Sequence, residues 1–253
     1  MKFNESYLFN LILLIWICIA AGVFTSLFFV TAPYGRHKKQ GWGIMISSRT
    51  AWTIMETPSP LLMLALFLLG KVNIANLIFL LMWEAHYIHR AFIFPFRRRQ
   101  SASSFPVLIL AFGLIFNFVN AYINGRYIFH FAPEYDIRWL SDVRFIAGFL
   151  IFAAGMILNI SSDSILIDLK KQNGNSYKIP QKGLFRLVSS PNYLGEIIEW
   201  SGWAIATWSL PGLAFALWTA ANLVPRAMSN HQWYKKEFTD YPGSRKALIP
   251  FIF

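Results

Sequence analysis

Charge is scarce in this sequence, and acid scarcest: 12 Asp and Glu stand against 23 Lys and Arg in 253 residues. Charged residues make up 14% of the chain, hydrophobic residues 56%, and the mean hydropathy is +0.44. A soluble domain of this length needs many more polar residues to cover its surface. The single cysteine, Cys18, excludes an internal disulfide and a cysteine-based metal site, and leaves the redox compartment open. There is no P-loop and no Gly-x-Gly-x-x-Gly after a strand, nor a strand to carry one; Gly41-Trp42-Gly43 lacks both the third glycine and the context. Any dinucleotide site must therefore be built differently from a Rossmann fold. No internal repeat is visible, which removes the support that inverted repeats give to a transporter. With no low-complexity linker either, a single membrane domain over 1–253 is expected.

What is present is a series of long apolar blocks. Spanning a bilayer takes about 20 residues of helix. Seven segments approach that length, near 7–30, 49–69, 72–95, 105–125, 143–163, 191–208 and 210–229. The first is too long for a signal-peptide core and ends without a small-residue cleavage site, so it reads as a membrane helix. The net charge of +11 is carried by the connections. Arg36, Lys38 and Lys39 follow the first segment, Arg97, Arg98 and Arg99 the third. Lys170, Lys171, Lys178, Lys182 and Arg186 fill the loop before the sixth, and Lys235, Lys236, Arg245 and Lys246 the C-terminal stretch. The connection with Arg126, Arg138, Glu134 and Asp136 is mixed, and the one around Leu210-Pro211-Gly212 is neutral. By the positive-inside rule the N-terminus lies outside and the C-terminus in the cytosol. The same distribution explains the basic balance without nucleic acid. The expected fold is all-α and integral to the membrane, seven transmembrane helices in one bundle.

Polar residues inside apolar helices are costly and face the bundle interior or a wet cavity. Arg49, Thr53 and Glu56 share one helix face, as do Trp83, Tyr87, Arg90 and Phe94, with His86 and His89 beside them. Asn117, Asn120 and Asn124 align, Asn159 and Asp163 are one turn apart, and Asn192, Glu196 and Glu199 align. Singly, such residues serve as hydrogen-bonding glue between helices. Together, the carboxylates with Tyr87 and Arg90 exceed what glue requires and indicate a polar cavity. His86 and His89 have metal-ligand spacing but no Glu-x-x-His motif, so no metal is expected. Ser190-Pro191 reads as a helix start, serine capping and proline in the first turn. The clusters at 97–99 and 170–186 can bind phosphate or serve as topology anchors alone.

Three stretches carry a family resemblance. Asn192-Tyr193-Leu194-Gly195-Glu196-Ile197-Ile198-Glu199-Trp200, Ala206-Thr207-Trp208-Ser209-Leu210-Pro211 and the whole run from Phe238 to Phe253 closely resemble the steroid 5α-reductases. Glu56-Thr57-Pro58-Ser59, His86-Tyr87-Ile88-His89-Arg90 and Asn159-Ile160-Ser161-Ser162-Asp163 are similar too. The resemblance runs from about residue 49 to the end, and 143–253 is its most specific, cofactor-binding half. It implies seven helices, NADPH as hydride donor, and a 3-oxo-Δ4-steroid reduced at C4–C5, such as testosterone or progesterone, entering from the lipid. It also implies the endoplasmic reticulum of a eukaryote or the inner membrane of a bacterium, and a monomer is expected. On the same resemblance Glu56 and Tyr87 face the C3 carbonyl. Asn159, Asp163, Lys170, Tyr177, Asn192, Glu196 and Tyr234 fall where the family contacts the cofactor, with Trp52, Arg98 and Asn120 as additions.

The chemistry suits those roles. Hydride arriving at C5 pushes negative charge onto the carbonyl oxygen, and a tyrosine hydroxyl oriented by a carboxyl group can donate to it. Departures from the family pattern are Met55, where many members have glutamine, Lys170 and Lys178 in place of arginines, and Asn230-His231 in place of a more histidine-rich stretch. Rival readings are a related sterol or enoyl-thioester reductase, an isoprenylcysteine-type methyltransferase, echoed by Ser190-Pro191-Asn192-Tyr193-Leu194-Gly195, and a non-enzymatic transporter.

Overall fold

A computed structural model describes residues 5–33, 35–37, 39, 41–98, 104–133, 135–174 and 176–253. Lys38, Arg99 and Glu134 of the charged connections lie outside the described residues. The helices are α1 (Glu5–Phe29), α2 (Ser48–Glu56), α3 (Pro58–Leu68), α4 (Ile74–Ile88), α5 (Phe94–Arg97), α6 (Val107–Arg126), α7 (Val143–Asn173), α8 (Pro191–Thr207) and α9 (Leu210–Glu237). Five helical stretches are long and apolar enough to cross a membrane: Glu5–Phe29, Ser48–Leu68, Ile74–Arg97, Val107–Phe131 and Val143–Asn173. These make the chain a multi-pass membrane protein. α8, with 17 residues, and α9, whose last turns carry Lys235 and Lys236, fall outside that set.

The structure differs from the sequence expectation in its helix breaks, its helix ends and a short strand pair. The segment 49–69 is broken into α2 and α3, because Pro58 and Pro60 have no N–H to give the carbonyls of Ile54 and Glu56. Thr57 keeps helical angles (φ −59, ψ −37), so the direction is roughly held. α4 passes through one wide π turn, His89–Ile93, before Pro95, and α6 closes on another, Tyr127–Phe131. α7 and α9 run on to Asn173 and Glu237 rather than stopping at 163 and 229. Loss of hydropathy marks the end of the apolar stretch, whereas a helix supplies its own backbone hydrogen bonds in water too. Finally, two strands were not foreseen. β1 (Met45–Ser47) pairs antiparallel with β2 (Ser104–Pro106), Met45 opposite Pro106, and α6 therefore begins at Val107.

The chain forms two compact units, residues 1–14 with 33–146 and residues 15–32 with 147–253. In the first, α6 lies against α2 and α3 at two glycines. A Cβ on Gly113 would strike the Met55 side chain, and one on Gly125 would strike Leu66 and Met63. The start of α1 is fixed there by an Arg126–Glu5 ion pair and by Phe9 against Phe131.

In the second unit α7 and α8 run antiparallel with their backbones touching. Gly148 and Gly155 on α7 are seven residues apart, as are Gly195 and Gly202 on α8. A Cβ on any of the four would come within 3.0 Å of the facing backbone: Gly148 against Ala206, Gly155 against Glu199, Gly195 against Asn159, Gly202 against Phe152. Small residues allow this approach, and dispersion over the seam replaces the hydrophobic drive that lipid does not provide. α8 turns into α9 at Trp208, a left-handed residue with φ 44, and Ser209 caps α9 by accepting from the Gly212 N–H at 3.0 Å. Trp200 packs on Phe215 with centroids 4.0 Å apart. The later part of α1 joins this unit through Trp16, whose carbonyl accepts from Trp218 Nε1 at 2.9 Å.

Candidate active site

The candidate residues divide between the units. Glu56, Tyr87, Trp52, Arg98 and Asn120 belong to the first, and Asn159, Asp163, Lys170, Tyr177, Asn192, Glu196 and Tyr234 to the second.

In the first unit Glu56 ends α2 beside the proline break and is buried. A buried carboxyl in an apolar helix needs a hydrogen-bond partner. Asn117 of α6 provides one: its Nδ2 donates to the Met55 carbonyl at 2.8 Å and to Glu56 Oε2 at 3.2 Å. Asn117 was legible as part of a polar stripe, but its tie to Glu56 was not. Tyr87 is 2% exposed. Its ring stacks on Trp83 (5.0 Å, 30°) and meets His86 edge-on (5.0 Å, 73°). Buried aromatic neighbours on two sides restrict where its hydroxyl can point. Trp52 stands edge-on to Phe94 at 5.9 Å and carries the Arg90 guanidinium over its face at 5.0 Å. Arg98 lies over Phe94 at 5.6 Å and Arg49 over Phe96 at 5.2 Å. Flat guanidinium on flat ring is a favourable way to hold these cations beside apolar side chains. Asn120 is wholly buried. Its oxygens accept from Asn124 Nδ2 (backbone O at 3.0 Å, Oδ1 at 3.4 Å), while its own Nδ2 meets no acceptor among the described residues.

In the second unit the glycine seam brings four predicted residues into one network. Asn159 Nδ2 donates to the Asn192 carbonyl at 2.9 Å and lies 3.4 Å from Glu196 Oε2. Asn192 Nδ2 donates to Asp163 Oδ1 at 2.9 Å. Antiparallel helices in close backbone approach place the i, i+4 pair of α7 against the i, i+4 pair of α8. Ser190 stands at the N-cap of α8, but its side chain does not cap. Its Oγ accepts from Asn230 Nδ2 at 3.2 Å instead. Pro191 occupies the first turn as expected.

Lys170 lies half-buried near the end of α7, and Tyr177 in the loop beyond it is exposed. Tyr177 meets Trp233 edge-on at 5.0 Å, Trp233 meets Tyr234 at 5.2 Å, and Tyr234 stacks on Tyr241 at 5.3 Å and 11°. The run 238–253 is what holds this arrangement. Its Lys246 pairs with Val188 by a parallel bridge, and the Ser189 N–H donates to the Lys246 carbonyl at 2.9 Å. Ser189 Oγ bonds His231 Nδ1 (2.6 Å) and Tyr241 Oη (2.7 Å). Arg245, 3% exposed, donates to the Pro180 carbonyl at 3.0 Å and to Gln181 Oε1 at 2.6 Å, clamping the loop that carries Tyr177. Ser189, His231, Tyr241 and Arg245 were missed as a group, since nothing in the one-dimensional spacing joins residue 189 to 246.

A family model described as 3-oxo-5-alpha-steroid 4-dehydrogenase matches residues 103–253. The steroid 5-alpha-reductase DET2 of Solanum lycopersicum is 46% identical over 256 residues, covering 99% of each chain. The 3-oxo-5-alpha-steroid 4-dehydrogenase 1 of Rattus norvegicus is 42% identical, covering 88% of this chain and 87% of its own, and that of Homo sapiens 41%, covering 87% and 86%. The chain belongs to the steroid 5α-reductase family. It is thus an oxidoreductase, and the methyltransferase and transporter readings fall away. Reductases of this family imply a nicotinamide cofactor, and the residues present fit one. Asn159, Asn192, Asp163 and Glu196 form a set of amide and carboxylate groups suited to a carboxamide and ribose hydroxyls, and the unpartnered Nδ2 of buried Asn120 has a donor to give. Carboxylates do not suit phosphate; Arg98, Lys170 and Lys178 do.

Proposed function

We propose that this reductase uses NADPH to reduce the C4–C5 double bond of a 3-oxo-Δ4-steroid, giving the 5α-dihydro product. Full-length similarity to enzymes of that name carries the reading, and the buried Glu56–Asn117 pair beside the proline break supports it. NADPH, when bound, supplies the hydride. As C5 gains it, negative charge moves through the enone to the C3 oxygen. The Tyr87 hydroxyl donates a hydrogen bond or proton to that oxygen, and Glu56, held by Asn117, orients the hydroxyl. The wall of Trp83, His86 and Tyr87 keeps the oxygen from water, where such a donor is worth most. C4 then takes a proton from water as the C3 carbonyl re-forms, and any proton lent by Tyr87 returns to its oxygen.

For the cofactor, Asn159, Asn192, Asp163 and Glu196 would hold the carboxamide and ribose, with Tyr177 and Tyr234 offering ring faces. In the second unit Lys170 and the loop lysines would meet the phosphates; in the first, Trp52, Arg98 and Asn120 are further candidate cofactor contacts. The proposed topology is seven crossings, N-terminus outside and C-terminus cytosolic, with the steroid arriving from the lipid and the enzyme acting as a monomer. The test is turnover of testosterone or progesterone by purified protein with NADPH or NADH, products resolved by chromatography. A 5α-dihydro product with NADPH preference is expected. Folded protein that binds NADPH and leaves both steroids untouched would move the substrate to another enone lipid.

A further inference from the structure

We propose that the C-terminal knuckle formed by Ile249, Phe251 and Ile252 is a membrane anchor, seated in the lipid–water boundary of the bilayer that the helices cross. The site rests on where the fold brings the chain back, and not on apolar exposure alone. The apolar stretch of α7 ends at Ile167, and Asp168, Lys170 and Lys171 follow. Across the glycine seam, Asn192 meets Asp163, so α8 begins level with the end of that stretch. Val188 and Ser189 lie two or three residues before Pro191, and they are the residues that pair with Lys246. The segment after Lys246 is therefore held at the depth where α7 becomes polar.

At that depth the chain makes a tight turn. The N–H groups of Leu248 and Ile249 both donate to the Phe253 backbone oxygen (2.8 and 2.6 Å), and the Phe253 N–H returns to the Ile249 carbonyl at 3.0 Å. Ala247 and Leu248 point inward and are buried. Phe251 takes the left-handed conformation, φ 65, which a residue with a side chain adopts at a cost. The turn directs Phe251 and Ile252 outward, 80% and 77% exposed, with Ile249 at 40%. A soluble surface has no use for three large apolar side chains on a strained turn. Aromatic and aliphatic residues at the lipid–water boundary gain by leaving water. The exposed Lys235 and Lys236 on the last turn of α9 belong to the same unit and suit an anionic leaflet. The anchor gives the clamp a fixed base: Lys246 at Ser189 and Arg245 at Pro180 and Gln181 lie five and six residues before Phe251.

The test needs no steroid and no cofactor. In a Cys18→Ser background, Phe251→Cys, Ile252→Cys and Ser244→Cys are each spin-labelled, and the full chain is placed in phosphatidylcholine–phosphatidylserine nanodiscs. Collision with oxygen, which partitions into lipid, is compared with collision with a water-soluble nickel chelate. The proposal predicts that oxygen dominates at 251 and 252 and the nickel chelate at exposed Ser244 in the same segment. Nickel-dominated collisions at 251 and 252 would overturn it. So would low collision with both reagents together with dipolar broadening, which would make the knuckle a contact between two copies of this chain.

Discussion

The two units solve the problem of polar groups inside an apolar chain in different ways. The first keeps its cations on aromatic faces: Arg90 over Trp52, Arg98 over Phe94, Arg49 over Phe96. Its buried Glu56 is reached by the Asn117 amide from a neighbouring helix. The second unit brings two helices into backbone contact and lets four polar side chains satisfy one another across the seam. The first arrangement is a cluster of side chains, Trp52, Arg90, Phe94 and Arg98, which can adjust by changing rotamers. The second is set by backbone distance, so a single added carbon disturbs every member.

The largest effect expected from that difference is at the seam. Gly195→Leu pushes its side chain into Asn159 and Gly155 backbone, and the cost is on the order of 4 kcal/mol or more. Thermal unfolding in detergent should show loss of the second unit's cooperative transition; a near-normal Tm would contradict the seam. Next is Tyr87→Phe, which removes one donor to the developing oxyanion and lowers turnover by about 10²–10³, or roughly 3–4 kcal/mol, with NADPH affinity unchanged. Near-normal turnover would sink the role proposed for Tyr87. Asn117→Ala leaves the buried Glu56 and the Met55 carbonyl short of a donor, a loss of about 1–3 kcal/mol in stability that calorimetry can measure. Asn192→Ala removes a charge-assisted bond to Asp163 and is expected to raise the KM for NADPH about tenfold, roughly 1.4 kcal/mol, with the steroid KM little changed. Equal rises in both would make Asn192 structural.

The smallest effect is a pH dependence at the junction of 189 with 246. Burial, with Lys235 and Lys246 nearby, holds the His231 pKa below its usual 6.5. The Ser189 hydroxyl donates to the Lys246 carbonyl, so its Oγ can accept from the ring at Nδ1; a second proton on the ring puts a charge in a half-buried site beside Lys235 and Lys246. A depressed pKa means the stabilisation is present above pH 6.5 and is lost as pH falls below it. Amide exchange at Ser189 and Lys246 should therefore quicken on going from pH 7.5 to about 5, the unfolded-state His pKa lying near 6.5. Exchange that ignores pH beyond its intrinsic rate would place the proton elsewhere.

Much of the fold is readable in one dimension because the bilayer imposes a length on each apolar block. Five apolar helical stretches fall where hydropathy puts them, and Asn117 and Asn159 are buried and Asn192 half-buried. What the pattern does not carry is anything decided by distance between segments. The seam is written as glycines seven apart in two separate helices, a spacing that means nothing until α7 and α8 are known to face each other. The π turn before Pro95 was foreseeable from the proline; the one at Tyr127–Phe131 has no comparable marker. The link from Ser189 to Lys246 joins residues 57 apart, and no local rule predicts it. The site was partly legible for the same reason: residue types came from the stripes and the family resemblance, but their grouping into a carboxyl–amide pair and an amide–carboxylate quartet came from packing.

The central proposal is a division of labour, Glu56 and Tyr87 acting on the steroid carbonyl and Asn159, Asp163, Asn192 and Glu196 holding the cofactor. The most direct measurement is NADPH affinity and single-turnover reduction rate, taken side by side on Glu56→Gln and Asn192→Ala. The account predicts that Glu56→Gln binds NADPH as the parent does and reduces steroid far more slowly, while Asn192→Ala binds NADPH more weakly and reduces at close to the parent rate once saturated. The reverse pattern, with Glu56→Gln losing NADPH and Asn192→Ala losing only turnover, would contradict it.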